Sequence, residues 1–258
     1  MMIMISSGAV SAGLSGSLKE QVVNYSANGV TMKGVLVWNP ELKGPLPAVI
    51  VVHEWWGLND YAIMRARMLA GLGYIAFAAD MFGDGKVATN PSEAMALAKP
   101  FYQDAPMMKT RLDAAITRVK EFPQTDKSRI AAIGYCFGGS VVLNSAKLGS
   151  DLKGVVSFHG GLKGVPVNKD LLKASILVCH GGADKSVTME DYNSLKHSLD
   201  SIGADNTFRV YEGATHAFTN PESTANGKKF NMPIEYNEKA DKESWNEMKE
   251  FLAKVFKK

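Results

Sequence analysis

Ile133-Gly134-Tyr135-Cys136-Phe137-Gly138-Gly139 stands where one periodicity gives way to another. Before it, Arg129-Ile130-Ala131-Ala132-Ile133 reads as a short buried strand, and after it Ser140-Val141-Val142-Leu143-Asn144-Ser145-Ala146 resumes with helical spacing. The turn between them has to be sharp. Gly134 and Gly138 lie two residues either side of Cys136, where a side chain would crowd a strained turn that pushes the central residue outward. Gly139 then lets the new helix approach the sheet closely. A thiol placed here sits near a helix N-terminus, where free N–H groups and the positive dipole end stabilise a thiolate or an oxyanion. The plainer reading of the same residues is a buried cysteine beside a glycine turn.

Outward from this turn, strands and helices alternate. Ala48-Val49-Ile50-Val51-Val52 is a continuous apolar run ending at His53-Glu54-Trp55-Trp56-Gly57, and such runs are buried on both faces, as in parallel sheets. Ahead of it, residues 20–39 alternate as a hairpin with Ala27-Asn28-Gly29 as its turn. Asn59 is placed to cap a helix with Tyr61, Met64, Met68 and Leu72 on one face, stopped by Gly71 and Gly73. Residues 74–79 form the next strand, 80–91 are irregular, and the helices that follow carry Met108, Leu112, Ala115 and Val119 as apolar positions. Beyond the cysteine turn, strands at 154–158 and 175–179 each run into a His-Gly pair. Residues 189–202 read as a helix, 207–211 as a strand, 215–240 as a long polar segment, and the last helix is amphipathic through Trp245, Met248, Leu252 and Val255. The expectation is an α/β fold: a mostly parallel twisted sheet opened by an N-terminal antiparallel hairpin, with helices on both faces. Sites in such sheets gather at the carboxyl ends of strands.

A chain of 258 residues with 46% hydrophobic content can bury one sizeable core, and no repeat or linker divides residues 19–258. A net charge of +3, with Lys228-Lys229 and Lys257-Lys258 as isolated pairs, argues against a nucleic-acid partner. No apolar run approaches the roughly 20 residues that span a bilayer, so no membrane association is expected. The two cysteines, at 136 and 179, form neither a metal-type pair nor a disulfide framework, which fits a reducing compartment. The first sixteen residues are uncharged and rich in Ser, Ala and Gly, and they lack the basic start of a secretory signal. Residues 1–18 therefore read as a flexible leader in a cytoplasmic protein, or as a remnant export signal in a periplasmic one. The expected partner is a small molecule, with the chain a monomer or homodimer.

A cysteine nucleophile needs a base, and the base needs an orienting acid. Asp184 lies in His180-Gly181-Gly182-Ala183-Asp184-Lys185-Ser186-Val187, just past an apolar strand, and His216 in Tyr211-Glu212-Gly213-Ala214-Thr215-His216-Ala217-Phe218, just past the next. The order nucleophile, acid, histidine is that of α/β-hydrolases, and only five histidines are present. Against this, Gly-Ala-Asp is ordinary turn chemistry with Asp capping the following helix, and His216 reads equally as a polar loop residue. His53, His159 and His180, at strand ends, read either as lining the pocket or, more simply, as hydrogen-bonded structural histidines, and His197 as a helix-surface residue.

Cys136 within Gly-Tyr-Cys-Phe-Gly-Gly, the segment His53 to Gly57, Asp80-Met81-Phe82-Gly83, Gly182-Ala183-Asp184 and Thr215-His216-Ala217-Phe218 together resemble the dienelactone hydrolases, or carboxymethylenebutenolidases, across roughly residues 20–256. The resemblance implies an α/β-hydrolase fold and a Cys136, His216, Asp184 triad that opens a lactone or ester through a thioester. It also implies that Glu54 holds the resting thiol and swings away when substrate binds, since a carboxylate beside a thiol disfavours a second negative charge; the plainer reading of Glu54 is a partly exposed strand-end residue paired with a basic side chain. Backbone N–H groups of Phe137 and Trp55 are the expected oxyanion hole. Trp55, Trp56 and Phe218 read either as an apolar wall for the acyl group or as core aromatics. Family members that act on the small anionic dienelactone carry an arginine where this chain has Gly83-Asp84-Gly85-Lys86; Lys86 replaces that cation only partly, since an ammonium is no guanidinium fork. A neutral ester or larger lactone therefore fits at least as well.

Other motifs fail on inspection. His53-Glu54-Trp55-Trp56-Gly57 starts like a zinc-protease helix but has Gly where the second histidine belongs, and Gly71-Leu72-Gly73 closes a helix rather than opening one. Neither metal nor nucleotide cofactor is expected. Besides the cysteine hydrolase, three readings stay open: a general short-chain carboxylesterase, a non-catalytic binding protein on the same fold, and a thiol redox role for Cys136, for which no resolving cysteine is evident.

Overall fold

A computed structural model describes residues 18–257, so the leader expected over residues 1–18 lies, but for its last residue, outside the described residues. The hairpin comes first. Strands β1 (Lys19–Ala27) and β2 (Val30–Trp38) pair antiparallel through a two-residue turn in which Asn28 (φ 50°) and Gly29 (φ 74°) are both left-handed, as the twist of a tight hairpin demands. There follow β3 (Leu46–Val52), α1 (Asp60–Gly71), β4 (Ile75–Ala79), α2 (Pro91–Gln103), α3 (Ala105–Lys120), β5 (Thr125–Tyr135) and α4 (Phe137–Lys147). The second half adds β6 (Gly154–Phe158), β7 (Ser175–Gly181), α5 (Met189–Ser201), β8 (Asn206–Tyr211), α6 (Ser223–Phe230) and α7 (Glu238–Val255).

The strands form one sheet in the order β1-β2-β4-β3-β5-β6-β7-β8, antiparallel as far as β4 and parallel from β4 to β8. Successive side chains of a strand point to opposite faces, and β3 divides accordingly. Ala48, Ile50 and Val52 enter one core with α3, α4 and α5, whereas Val49 and Val51 enter the other with α1 and α7. All five are fully buried. Burying one Val or Ile contributes about 1.5–3 kcal/mol, so neither face of this strand tolerates water. A parallel sheet also aligns strand ends: the segments that follow β3, β5, β7 and β8 carry Glu54, Cys136, Asp184 and His216, and all emerge at its carboxyl edge.

Two expectations are corrected. The buried face of α1 is made by Ala62, Arg65, Ala66, Leu69 and Ala70 beside Tyr61, with Met64 packed partly and Leu72 exposed. Small alanines let the helix lie close to the sheet, so the bulkier residues are left at the flank. The polar segment 215–240 contains α6, whose sequence has too few apolar residues to show a helical stripe. Gly227 instead allows the segment after the helix to pack tightly, since a Cβ there would stand 3.0 Å from the Met232 carbonyl oxygen and closer still to that of Ile234.

Candidate active site

Cys136 joins β5 to α4 with φ 51° and ψ −113°, a conformation that costs a non-glycine residue roughly 1–3 kcal/mol. Its surroundings impose it. The Cys136 N–H is shared between the Phe158 carbonyl at 3.0 Å and His159 Nδ1 at 3.1 Å, and the Cys136 carbonyl accepts from Ser140 N–H at 3.3 Å. Gly134 and Gly138 permit close approach. A Cβ on Gly134 would lie 2.7 Å from the Gly139 nitrogen, and one on Gly138 would lie 2.7 Å from the His53 carbonyl oxygen and closer still to that of Val52. Phe137 opens α4 directly after Cys136, so its N–H has no carbonyl one turn back within the helix to bond.

The sulfur of Cys136 lies 3.1 Å from His216 Nε2, and His216 Nδ1 lies 2.8 Å from Asp184 Oδ2. The other oxygen of Asp184 accepts N–H bonds from Ser186 at 2.7 Å and Val187 at 3.1 Å. Turn chemistry and the contact with histidine thus coexist on separate oxygens. Burial alone would disfavour an imidazolium at His216, but the Cys136 sulfur and the Asp184 carboxylate override it and hold the ring well above the ordinary histidine range. Burial likewise works against the Asp184 carboxylate, yet its hydrogen bond with His216 and the two turn N–H groups keep it below the usual range.

Glu54 is 3% exposed and accepts a hydrogen bond from Asn220 Nδ2 at 2.6 Å. Burial pushes its carboxyl up to about 7, against the opposing pull of Asn220, His216 and Arg65. Here the sulfur pairs with His216 and the Glu54 carboxyl group with Asn220, rather than with each other as the resting state implied by the family resemblance would have them. His53 fixes the backbone here: Met81 N–H donates to Nε2 at 3.2 Å, so the ring proton sits on Nδ1 and bonds the Glu54 carbonyl at 2.5 Å.

Cys136, His216 and Glu54 open into a cavity of about 410 Å³ whose walls include Trp55, Trp56, Met95, Tyr102, Val187 and Ile234. Among the described residues, no lysine or arginine lines it. Trp56, Asn220 and Asn226 also border an adjoining, more polar space of about 470 Å³ that reaches Asp60, Glu222 and Lys229.

Two expected binding residues lie elsewhere. Phe218 is 0% exposed and packs against His159 and Tyr211 in the core under α7, because the chain turns inward directly after His216. Lys86 pairs with Asp84 at 3.4 Å and borders a separate surface cleft with Val87, Glu93 and Leu97. The cause is the turn before it: Asp80 gathers the N–H groups of Phe82, Gly83 and Gly85, and that tight coil directs Lys86 away from the sulfur. His159, a strand-end histidine by its sequence, lies against both Cys136 and His216, whereas Asn220 and Ile234 carry no sequence signal as site residues. Asn220 stands four residues beyond His216, an offset that carries no signal in a loop, and Ile234 reaches the site through a bridge to His216.

The sequence profile of the dienelactone hydrolase family matches residues 32–256. A Methylorubrum extorquens protein bearing the carboxymethylenebutenolidase name is 31% identical over 192 residues, which span 69% of this chain and 65% of that relative. A similarly named Aquifex aeolicus protein is 29% identical, over 78% of this chain and 87% of its own length. The crystal structure of a dienelactone hydrolase-like promiscuous phosphotriesterase, P91, from metagenomic libraries superposes with a TM-score of 0.87 at 32% identity, covering 93% of this chain and all of that one. With the sheet order, the strand-to-helix turn at Cys136 and a family match over most of its length, the chain belongs to the dienelactone hydrolase family of α/β-hydrolases.

Proposed function

We propose that the protein hydrolyses neutral carboxylic esters or lactones with an apolar acyl group, using Cys136 as nucleophile. The observation that carries this reading is the unbroken chain from Cys136 Sγ through His216 to Asp184, at 3.1 and 2.8 Å. His216 takes the thiol proton and keeps it while Asp184 stabilises the imidazolium. The sulfur attacks the ester carbonyl, and the N–H groups of Phe137 and Trp55 receive the oxyanion. Collapse breaks the bond to the alcohol oxygen, which takes the proton from His216, and leaves a thioester on Cys136. Water, deprotonated by the same imidazole, then frees the acid and returns the proton to sulfur.

Substrate class follows from the walls. Trp55, Trp56, Met95, Tyr102, Val187 and Ile234 offer an acyl group apolar walls, and the one cationic side chain among the described lining residues is the catalytic imidazolium of His216, so an uncharged acyl part fits this cavity better than a carboxylate. Glu54 gates the thiol by exchanging partners: sulfur turns from the carboxylate to His216 while Asn220 receives the carboxylate, the pairing present here.

The test compares p-nitrophenyl acetate, a neutral δ-lactone and cis-dienelactone with the wild type, Cys136→Ala and Cys136→Ser. Cys136→Ala should abolish turnover of all three, and Cys136→Ser should retain a small residue of activity, since a hydroxyl is harder to deprotonate. Activity surviving Cys136→Ala refutes the nucleophile. A preference for the anionic lactone over the neutral one refutes the substrate class.

A further inference from the structure

The nucleophile and its base come from strands that do not touch. Cys136 follows β5, His216 lies beyond β8, and β6 and β7 stand between them. Three strand spacings of about 4.8 Å separate the two by roughly 14 Å at the sheet, so the segment carrying His216 has to reach back across the carboxyl edge and be held there. Asp184, from the end of β7, is one tie. The end of β6 supplies a second side chain, His159.

His159 is 1% exposed and has φ 41°, a strained conformation in a non-glycine residue. Its Nδ1 accepts the Cys136 N–H at 3.1 Å, and its Nε2 lies 2.7 Å from Thr219 Oγ1, three residues beyond His216. Thr219 is anchored further by Tyr61, 2.6 Å from the same hydroxyl, and by Arg65, which donates to its carbonyl at 2.6 Å and pairs with Asp241. The His159 ring also meets His216 edge-on at 5.3 Å. The proton count is determined. A backbone N–H only donates, so Nδ1 is bare, the ring proton sits on Nε2, and the imidazole donates to Thr219. Burial and the nearby charges of His216 and Arg65 keep His159 well below the ordinary range, so it stays neutral beside a charged His216.

We infer that His159 is a positioning residue: it bridges the strained Cys136 turn to the segment carrying His216 and thereby sets the sulfur-to-imidazole distance. This inference rests on Cys136 and His216 acting as nucleophile and base. Misplacement by about 1 Å costs on the order of 100-fold in rate, which sets the expected scale.

The test uses His159→Phe, which keeps a planar ring but removes both bonds; His159→Asn, whose amide oxygen can take the place of Nδ1; and Thr219→Val, which cuts the bridge from its other end. With p-nitrophenyl acetate, His159→Phe should lower kcat about 100-fold with KM within about twofold, and Thr219→Val about tenfold. His159→Asn should recover part of the loss. The double variant His159→Phe with Thr219→Val should be no slower than His159→Phe, since both cut one bridge. The His216 ring titration, followed by NMR, should move down toward the ordinary histidine value in His159→Phe, because the sulfur and carboxylate that hold it up are no longer in register. A kcat within twofold of wild type in His159→Phe overturns the inference, as does a loss that falls on KM or an unmoved His216 titration. If His159→Phe does not fold, a wild-type kcat in Thr219→Val overturns it equally. Hydrolysis surviving Cys136→Ala would instead refute the nucleophile itself, a separate outcome.

Discussion

Replacing Asp184 by asparagine separates its two tasks. Oδ1 of the new side chain can keep the N–H bonds of Ser186 and Val187, at 2.7 and 3.1 Å, so the turn into α5 persists. The amide nitrogen then takes the place of Oδ2, 2.8 Å from His216 Nδ1. An NH₂ group only donates, so Nδ1 has to accept and the ring proton moves to Nε2, where it faces the sulfur and can no longer take a proton from it. Flipping the amide would restore the histidine contact but oppose two backbone N–H donors, at about 1–3 kcal/mol for each donor left unpaired, so the unflipped form prevails. Reversing the tautomer in a triad lowers kcat about 10⁴-fold, or about 5 kcal/mol of barrier. Stability should change far less, because one charge-assisted bond of about 1.5–3 kcal/mol is lost while a buried carboxylate is removed. The assay is p-nitrophenolate release at neutral pH beside a thermal unfolding curve. Asp184→Asn retaining more than a tenth of the wild-type kcat would mean that Asp184 serves the turn alone.

Gly138→Ala sets a Cβ 2.7 Å from the His53 carbonyl oxygen, against backbone that cannot yield, so overpacking should cost about 1–3 kcal/mol and pull α4 off β3. Calorimetry should show a lower Tm together with a reduced kcat, and no change in either would reveal slack at this contact. Glu54 carries a folded-state value of about 7 against an ordinary 4.5, so the folded state holds a proton the unfolded chain has released, and stability should fall by about 3 kcal/mol as pH rises through that window. Urea unfolding on both sides of the window should show this slope in the wild type and its absence in Glu54→Gln; an equal slope in both would place the titration elsewhere. Lys147 is 3% exposed at the end of α4, and burial lowers it from 10.5 to about 8. Here the unfolded chain binds the extra proton, so stability should rise by about 3 kcal/mol between those values, and Lys147→Met should remove the rise and be the more stable protein at neutral pH. A Lys147→Met variant less stable than wild type would show that the ammonium is satisfied in place.

Recognition of the Cys136 turn rested on local constraints, and those survive folding well. Gly134, Gly138 and Gly139 are needed for atoms within a few residues or on the adjoining strands, so their spacing carried the sharp turn in plain view. The hairpin at Asn28-Gly29 was readable for the same reason, as were the Asn59 cap and the buried positions of α3. Loops behave differently. Trp56 and Phe218 looked alike in sequence, both aromatic and both beside a candidate functional residue, yet one borders the cavity and the other is sealed beneath it. Lys86 likewise stands in sequence where a substrate cation would belong, but the Asp80 turn carries it elsewhere.

Sequence alone determined the alternation of strand and helix, the hairpin and the order in which cysteine, aspartate and histidine leave the sheet, because backbone periodicity and glycine spacing are encoded over a few residues. Tertiary structure decided which side chains meet around the sulfur. The strand order β5-β6-β7-β8 sets how far His216 must reach, seats His159 and Asp184 as the ties across the gap, gives Glu54 to Asn220, and brings Ile234 over the cavity. Those encounters join segments tens of residues apart, whose relative positions depend on how the whole sheet stacks and twists rather than on any local pattern.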